Sequence, residues 1–565
     1  EGGQQDLVKI VVRNRGIYRI SGNDLKEAGI AIEGIQSDRM RLLYAGGGIL
    51  GLARRVPQGL VRLELAMVVE DGGDGRFDVD DFILFFGEPP ARWEYNGARQ
   101  SFSWRENRYT EQNVYWLELD GAESGRRAQR RSGAERTSDP WRPTSYRERL
   151  HEEDERFILL QLEGINSGYD WYWEDFRGNA RNFSTIIKDA DPKQPVDIGV
   201  RFYGWSDAPH SFEVRWNGEV LGERSFTGSR ADTLRLTSPR GGQEGLNQLG
   251  LFHLDSNLTR LDWYELEFSR GFAAEGGELI FGWPPAPADA PAAGEIAEFR
   301  LTGFGGGPPR IFEVSVASDL KEIVDFAYDE STGEIRFQDR FGGVGTPPMY
   351  AVVTESRWRR PSSIAVDRRT SLRTPDNGAE YVIITHSDFR TAADRLASWR
   401  AADDRFGEPL SVAVVNVEDI YDEFSGGLLD PMAIRSFVNY AVDNWDPAPF
   451  FVLLMGDGTY DYKNNSGTSH TNWIPPYQAG ISTYDEWYVR IEGEDVFPDL
   501  AIGRLPVPSA AVAEGLVDKL IAYDRQPELG PWQSRVLLIA EDLSNPQNPA
   551  AFASYFIQDA EHMAR

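Results

Sequence analysis

The chain has 565 residues, and at roughly 100–200 residues per domain that length implies several domains. Its 59 Lys+Arg against 89 Asp+Glu leave a formal charge of −30, which excludes a general nucleic-acid binder and disfavours docking to an anionic lipid surface, because both need a basic face. Cysteine is absent and histidine occurs six times, so these residues offer no disulfide framework, no thiolate zinc site and no thiol nucleophile.

Residues 1–120 alternate short apolar runs with turn clusters, and the spacing predicts strands over 8–12, 18–20, 41–44, 60–69 and 82–86. A short helix over 23–28 would start at Asn23. Gly46-Gly47-Gly48-Ile49-Leu50-Gly51 fits a dinucleotide fingerprint in letters. Pro57 and the following strand leave no room for the crossover helix, so a glycine turn is expected. The acidic stretch from Asp71 to Asp81 resembles half of an EF-type calcium loop. Asp74 takes the fifth position, Gly75 the sharp turn, Asp78 the ninth and Asp81 the twelfth. Gly72 at the third position and Glu70 at the first depart from that pattern. A calcium site and a plain acidic hairpin turn both stay open here.

Residues 121–144 are polar and rich in arginine (Arg126, Arg127, Arg130, Arg131, Arg136) and read as a solvated linker. Residues 145–374 carry frequent strand and turn signals, as expected for a jelly-roll-like β-sandwich. Trp171, Trp173, Trp205, Trp216, Trp263 and Trp283 lie in this region. They suit either a sugar-stacking platform or core packing, and core packing is the commoner use.

At about residue 375 the pattern changes. Continuous apolar strands over 381–385, 411–417, 450–455, 501–504 and 536–540 alternate with helical stretches over 391–405, 430–445 and 510–525. Two-sided apolar strands with crossover helices mean a mostly parallel, helix-covered sheet. Ligands in such sheets sit beyond the carboxyl ends of the strands. That places Asp457, in Gly456-Asp457-Gly458, at the functional edge as a substrate-binding candidate. Asp485, Asp499, Glu541 and Asp542 also fall at or near strand ends. Acids so placed can orient a catalytic base, hold a metal (Asp485 and Asp499 being the candidates) or cap the next helix. No cofactor is expected to be required for the chemistry, and calcium stays an open alternative. No run approaches the roughly 20 apolar residues of a membrane-spanning helix.

The stretch 440–457 with its Leu-Met-Gly-Asp-Gly ending, Asp499-Leu500-Ala501-Ile502-Gly503-Arg504-Leu505, the helix through Lys519 and Tyr523, and Leu537-Leu538-Ile539-Ala540-Glu541-Asp542 resemble the first half of a gingipain-type cysteine peptidase domain. More narrowly, residues 452–464, Gly16-Ile17-Tyr18-Arg19-Ile20 and Phe82-Ile83-Leu84-Phe85-Phe86-Gly87 resemble the branch of C-terminal signal peptidases, or sortases, of type IX secretion. The resemblance implies a multidomain protein of two β-rich domains followed by a partial caspase-like α/β domain over 375–565. It implies a cysteine nucleophile and a Gly-His-Gly histidine, neither of which occurs here, so the chain is expected to be the N-terminal portion of something longer. Asp542, or its neighbour Glu541, matches the acid that orients the catalytic histidine. Asp559 matches the acid that lines the substrate pocket of arginine-specific members. The implied partners are protein substrates with C-terminal secretion signals and an outer-membrane partner protein, and the implied location is exported, at the cell surface or beyond it. The rival expectation is a non-catalytic surface adhesin or assembly protein with a relic α/β domain.

Overall fold

The computed structural model describes residues 7–50, 60–158, 171–282, 292–342, 347–367, 371–404, 407–468, 470–479, 482–493, 495–539 and 555–564. The expected strand Leu7–Val12 (β1) forms, and it lies inside a five-stranded sheet. Ser363–Asp367 pairs antiparallel with one edge of β1 and Asn113–Glu118 with the other. Residues far apart in sequence thus share one sheet, and Val8, Ile10, Val12, Leu42, Tyr115 and Leu117 form its buried side. The run expected over 60–69 is broken into Leu63–Leu65 and Val68–Glu70. The first helix is capped two residues earlier than expected. Ser21, not Asn23, caps Gly22–Glu27, in a reciprocal capping box with Asp24. Next come Arg92–Asn96 (β2) and Ser101–Arg105 (β3), a hairpin that among the described residues pairs only with itself.

Within 121–144, Gln129–Ser132 pairs in parallel with Lys321–Val324, and Arg131 lies 2.7 Å from Glu313. The sandwich is built from Tyr146–Glu153 (β4), Val196–Gly204 (β5), Ala231–Ser238 (β6) and Thr259–Arg270 (β7), in the order β4-β7-β5-β6. A second four-stranded sheet joins Ala180–Ile187, Gly245–His253, Pro209–Trp216 and Glu219–Thr227. Ile198, Val200, Phe202, Phe212, Val214, Trp216, Leu251 and Leu266 belong to the single cluster between these strands. Alternate residues of each strand point inward, as a half-buried sheet requires. Residues 278–353 add a further β body with its own core of Phe281, Phe299, Phe337, Tyr350 and Val352.

The C-terminal region carries the mostly parallel sheet expected of it. Tyr381–Thr385 (β8), Val412–Asn416 (β9), Phe451–Met455 (β10) and Ala501–Leu505 (β11) run in the order β9-β8-β10-β11, and every pairing is parallel. Helices Arg390–Ala401 (α1) and Ala510–Arg525 (α4) contact one another. Val417–Phe424 (α2) and Pro431–Asn444 (α3) likewise contact each other. Two separate apolar clusters result, one with Val382 and Ile384 of β8 and one with Ile383, so the central strand is buried on both faces. Asp430 caps α3 with Pro431 in its first turn, as the Asp-Pro pair predicts.

One expected strand is not there. Residues 535–539 form no strand, and Val536, Leu537 and Ile539 are 84%, 81% and 85% exposed. An apolar run becomes a strand only through ladder bonds to a neighbouring edge, and these residues make none of them. Among the described residues, no helix is long and apolar enough to cross a membrane.

Candidate functional site

The parallel sheet delivers its strand ends to one edge. β10 leaves the sheet through Gly456-Asp457-Gly458, and the turn is packed so closely that side chains are excluded on both sides of Asp457. A Cβ on Gly456, whose φ is +158°, would come within 2.8 Å of Ile474, and one on Gly458 within 2.2 Å of the Ile474 carbonyl oxygen. The Asp457 amide donates to the Val507 carbonyl (3.0 Å), and its own carbonyl accepts from the Ile474 amide (3.1 Å). Its half-buried carboxylate accepts from the Gly458 amide at 2.9 Å and among the described residues makes no ion pair.

Arg504, on the adjacent β11, holds this turn. One guanidinium nitrogen donates to the carbonyls of Gly456 and Ile474, both at 2.8 Å. The other two engage Asp485 at 2.7 and 2.6 Å. Burial lowers the Arg504 pKa, but the hydrogen bond and charge of Asp485 outweigh it and raise the value overall. The fork geometry explains why an arginine stands here, since one planar group satisfies a carboxylate and two carbonyls.

His386 lies at the same edge, directly after β8. Its Nδ1 accepts from the Asp388 amide at 3.2 Å, and its ring leans on Trp473 with 4.7 Å between centroids. Sequence reading passed over this histidine, although its place after a buried apolar strand was a usable signal. Asp461, also after β10, is buried and spent on its own loop, accepting from the amides of Asn465 and Ser466 and from the Ser466 hydroxyl.

The other sequence candidates are dispersed. Asp485 is committed to Arg504, and Asp499 accepts from the amides of Ile491 and Glu492 at 2.7 and 2.8 Å. Asp559 is exposed on the helix Tyr555–Met563 (α5). Glu541 and Asp542 lie outside the described residues. Asp74, Asp78 and Asp81 occupy the turn between the antiparallel strands Val68–Glu70 and Phe82–Gly87. There Asp74 accepts from the Arg76 amide and Asp81 from the Asp78 amide.

A calcium ion needs six or more oxygens on one point. Among the described residues, two sets of three metal-type ligand atoms lie within 4.8 Å of one another, His210/His253/Asp255 and Asp367/Asp419/Asp422, and the acidic turn is in neither. Neither set suits a metal. The Gly178 amide donates to His253 Nδ1, which puts that ring's proton on Nε2, the atom that faces Asp255. In the second set Lys9 already supplies the cation, 2.6 Å from Asp422. Burial pushes Asp422 up to about 7 despite that lysine.

Lys9–Asp422 is one of several contacts that seat the N-terminal sheet on the α/β region. Trp116 donates to the Gly426 carbonyl at 3.0 Å, and the Leu50 amide to Asp430 at 2.9 Å. Lys463, in the loop after β10, pairs with Glu155 next to β4 at 3.2 Å. The β regions therefore contact the α/β region directly.

Comparison with known proteins agrees with this arrangement. Residues 374–564 match peptidase family C25. No curated protein matches the chain. Among solved structures, dimeric latent PorU from Porphyromonas gingivalis is similar at a TM-score of 0.69 and 19% identity, over 96% of this chain and 52% of that one. At that identity the likeness establishes the fold, and the chain spans about half the length of the structure it matches. The CBM36-1 domain of a xylanase from the hindgut metagenome of Trinervitermes trinervoides is similar at 12% identity, over 21% of this chain and 95% of that one, with a TM-score of 0.16. The C-terminal CBM6 of LamC from Zobellia galactanivorans gives 18% identity, 21% and 98% coverage and a TM-score of 0.16. Scores that low carry no argument.

Proposed function

Residues 374–564 belong to peptidase family C25, and from that premise we propose that the chain is part of a gingipain-type cysteine peptidase that acts as a sortase. It would remove C-terminal secretion signals from exported proteins at the cell surface and join them to a surface anchor, alongside an outer-membrane partner. The observation that carries the reading is the conjunction of that match with the PorU-like arrangement of nearly the whole chain.

The chemistry is thiolate attack on a peptide carbonyl. The carbonyl carbon gains a bond to sulfur, the peptide C–N bond breaks, and the departing amine takes the proton held by an imidazolium. Water or a second amine then attacks the acyl-enzyme and releases the thiol. This sequence has no cysteine, so the nucleophile would come from outside these 565 residues, and no cofactor is needed. The part assigned to this chain is positional. The Gly456-Asp457-Gly458 turn offers a carboxylate at the sheet edge to a substrate backbone or side chain. Asp542, or Glu541, would orient the histidine and stabilise its charged form, which in turn lowers the thiol pKa. Asp559 would contribute to substrate selection, and the β regions would present the cargo.

The test uses the full-length protein in cells that export signal-bearing cargo. Replacing its active cysteine by alanine should leave cargo with signals uncleaved, and Asp457→Asn should lower kcat/KM while cargo still binds. Unchanged processing in the cysteine variant refutes the sortase reading and leaves a surface adhesin.

A further inference from the structure

We propose that the cleft between the β2–β3 hairpin and the outer face of the sandwich is a binding site for an oligosaccharide. Nothing in the peptidase reading requires it, and it stands on separate residues.

The floor is dictated by strand register. Across β4, β7, β5 and β6, one row runs Arg149, Glu267, Asp197, Thr237 and the next His151, Glu265, Gly199, Arg235. The intervening positions Leu150, Ile198, Leu236 and Leu266 pack into or against the sandwich core. The period of two in these strands therefore puts one polar, ordered surface on the outside. The hairpin lies over it, and a two-stranded hairpin holds a position only through such packing. Trp104 stacks on His151 at 4.4 Å with the rings 8° from parallel, and Arg149 sits 3.8 Å over Phe102. Between floor and hairpin is a cleft of about 850 Å³, lined among others by Trp93, Trp104, Trp263, Glu106, Arg224 and Arg235. That volume falls in the usual ~300–1,000 Å³ range of small-molecule sites.

The polar groups decide the ligand class. Every ionised carboxylate facing the cleft has a basic partner: Asp197 has Arg147 at 2.7 Å, Glu267 has Arg149 at 3.1 Å, and Glu265 has His151 at 3.1 Å. A cationic ligand would find its acceptors taken. Two of the cleft's ionisable groups remain uncommitted among the described residues. Arg235 makes no hydrogen bond or ion pair, and neither does the Glu106 carboxyl. Burial, with the charge of Glu153 next in weight, pushes Glu106 up to about 8. It is therefore protonated at neutral pH and can both donate and accept. Arg224 uses one nitrogen on the adjacent Glu223 carbonyl. An extended peptide lying on the floor would meet a sheet face, whose backbone groups are already used in the ladder. What remains is flat indole surface beside unspent donors and acceptors, which matches the C–H faces and hydroxyl edges of sugar rings.

Gly199 supplies the room. A Cβ there would lie 3.4 Å from Arg235, 3.5 Å from Glu265 and 3.6 Å from Trp263, all ordinary contacts. The Cβ of a valine therefore fits here, and its two methyl groups would fill the floor.

The test is isothermal titration of this chain with maltohexaose, cellohexaose, xylohexaose, mannohexaose and hexagalacturonate. Saturable binding of at least one is expected. The neutral and acidic arms show whether Arg224 and Arg235 act as hydroxyl donors or as charges. Trp263→Ala and Arg235→Ala should each weaken it about tenfold. Gly199→Val should abolish binding with an unchanged melting temperature. No saturable binding across the panel overturns the proposal, as does binding that survives both Gly199→Val and Trp263→Ala. Displacement of bound sugar by a basic peptide but not by a second sugar would also overturn it, in favour of a peptide site.

Discussion

Arg504→Ala is the sharpest probe of how the strand-end turn is held. The substitution removes four hydrogen bonds, two to Asp485 and two to the carbonyls of Gly456 and Ile474. It leaves Asp485 without its counter-charge, and the side chains of Arg504 and Asp485 are only 14% and 27% exposed. Removing one partner of a buried pair costs about 3–5 kcal/mol. The partial exposure of Asp485 sets the expectation at the lower end, about 3 kcal/mol, because water can solvate the orphaned carboxylate in part. At roughly 2–4 °C per kcal/mol for a unit of this size, the transition of the α/β region should drop by about 6–12 °C. Hydrogen exchange followed by mass spectrometry locates the effect, with faster exchange expected at the amides of Asp457 and Ile474. Arg504→Ala/Asp485→Ala should be less destabilised than Arg504→Ala, since the unpaired charge is gone, and Arg504→Lys should fall between wild type and alanine. A loss below about 1 kcal/mol, or a double variant no better than the single one, would show that the turn is held by its glycines and not by the guanidinium.

Two further outcomes follow from the same geometry. Burial pulls the His151 pKa down, but its hydrogen bonds to Glu153 and Glu265 outweigh burial and raise it to about 9. The folded state thus binds more protons than the unfolded state between about 6.5 and 9. The stability this histidine contributes is complete below about pH 6.5 and is lost as pH rises through 9. Glu106 and Asp262, pushed mainly by burial to about 8 and about 7, act in the same direction at lower pH. Urea midpoints should fall from pH 6.5 to 9.5, and His151→Gln should flatten that profile; a slope unchanged in the variant refutes the assignment. Separately, Gly458→Ala should destabilise the turn, because its Cβ would stand 2.2 Å from the Ile474 carbonyl, whereas Gly503→Ala on β11, with nothing within 4 Å, should be nearly neutral by thermal melt.

Much of the α/β region was legible in the chain. Val382-Ile383-Ile384 could only be a strand buried on both faces, and Asp430-Pro431 could only open a helix, because both signals are local and two-sided burial follows directly from composition. The candidate turn at Asp457 was legible for the same reason, as a polar residue between glycines at the end of such a strand. The role of Arg504 was not. Its sequence neighbours are ordinary strand residues, and only the β10–β11 register brings it against Gly456. Residues 536–539 show the converse failure, a strand-like run without an edge to pair with.

The sequence by itself determined the order of modules, the change from period-two to buried-strand grammar near residue 375, and the family resemblance of the last region, because periodicity and motif are properties of neighbours. Its charge of −30 argued against a basic nucleic-acid surface and could go no further. Tertiary structure alone decided that Ser363–Asp367 returns to pair with β1, that Lys9 and Lys463 fasten the β regions to the α/β region, and that the rows of the sandwich face meet the tryptophans of a distant hairpin. Each of these depends on contacts between segments hundreds of residues apart. The energy of such contacts comes from burial and pairing in space, and no local pattern records it.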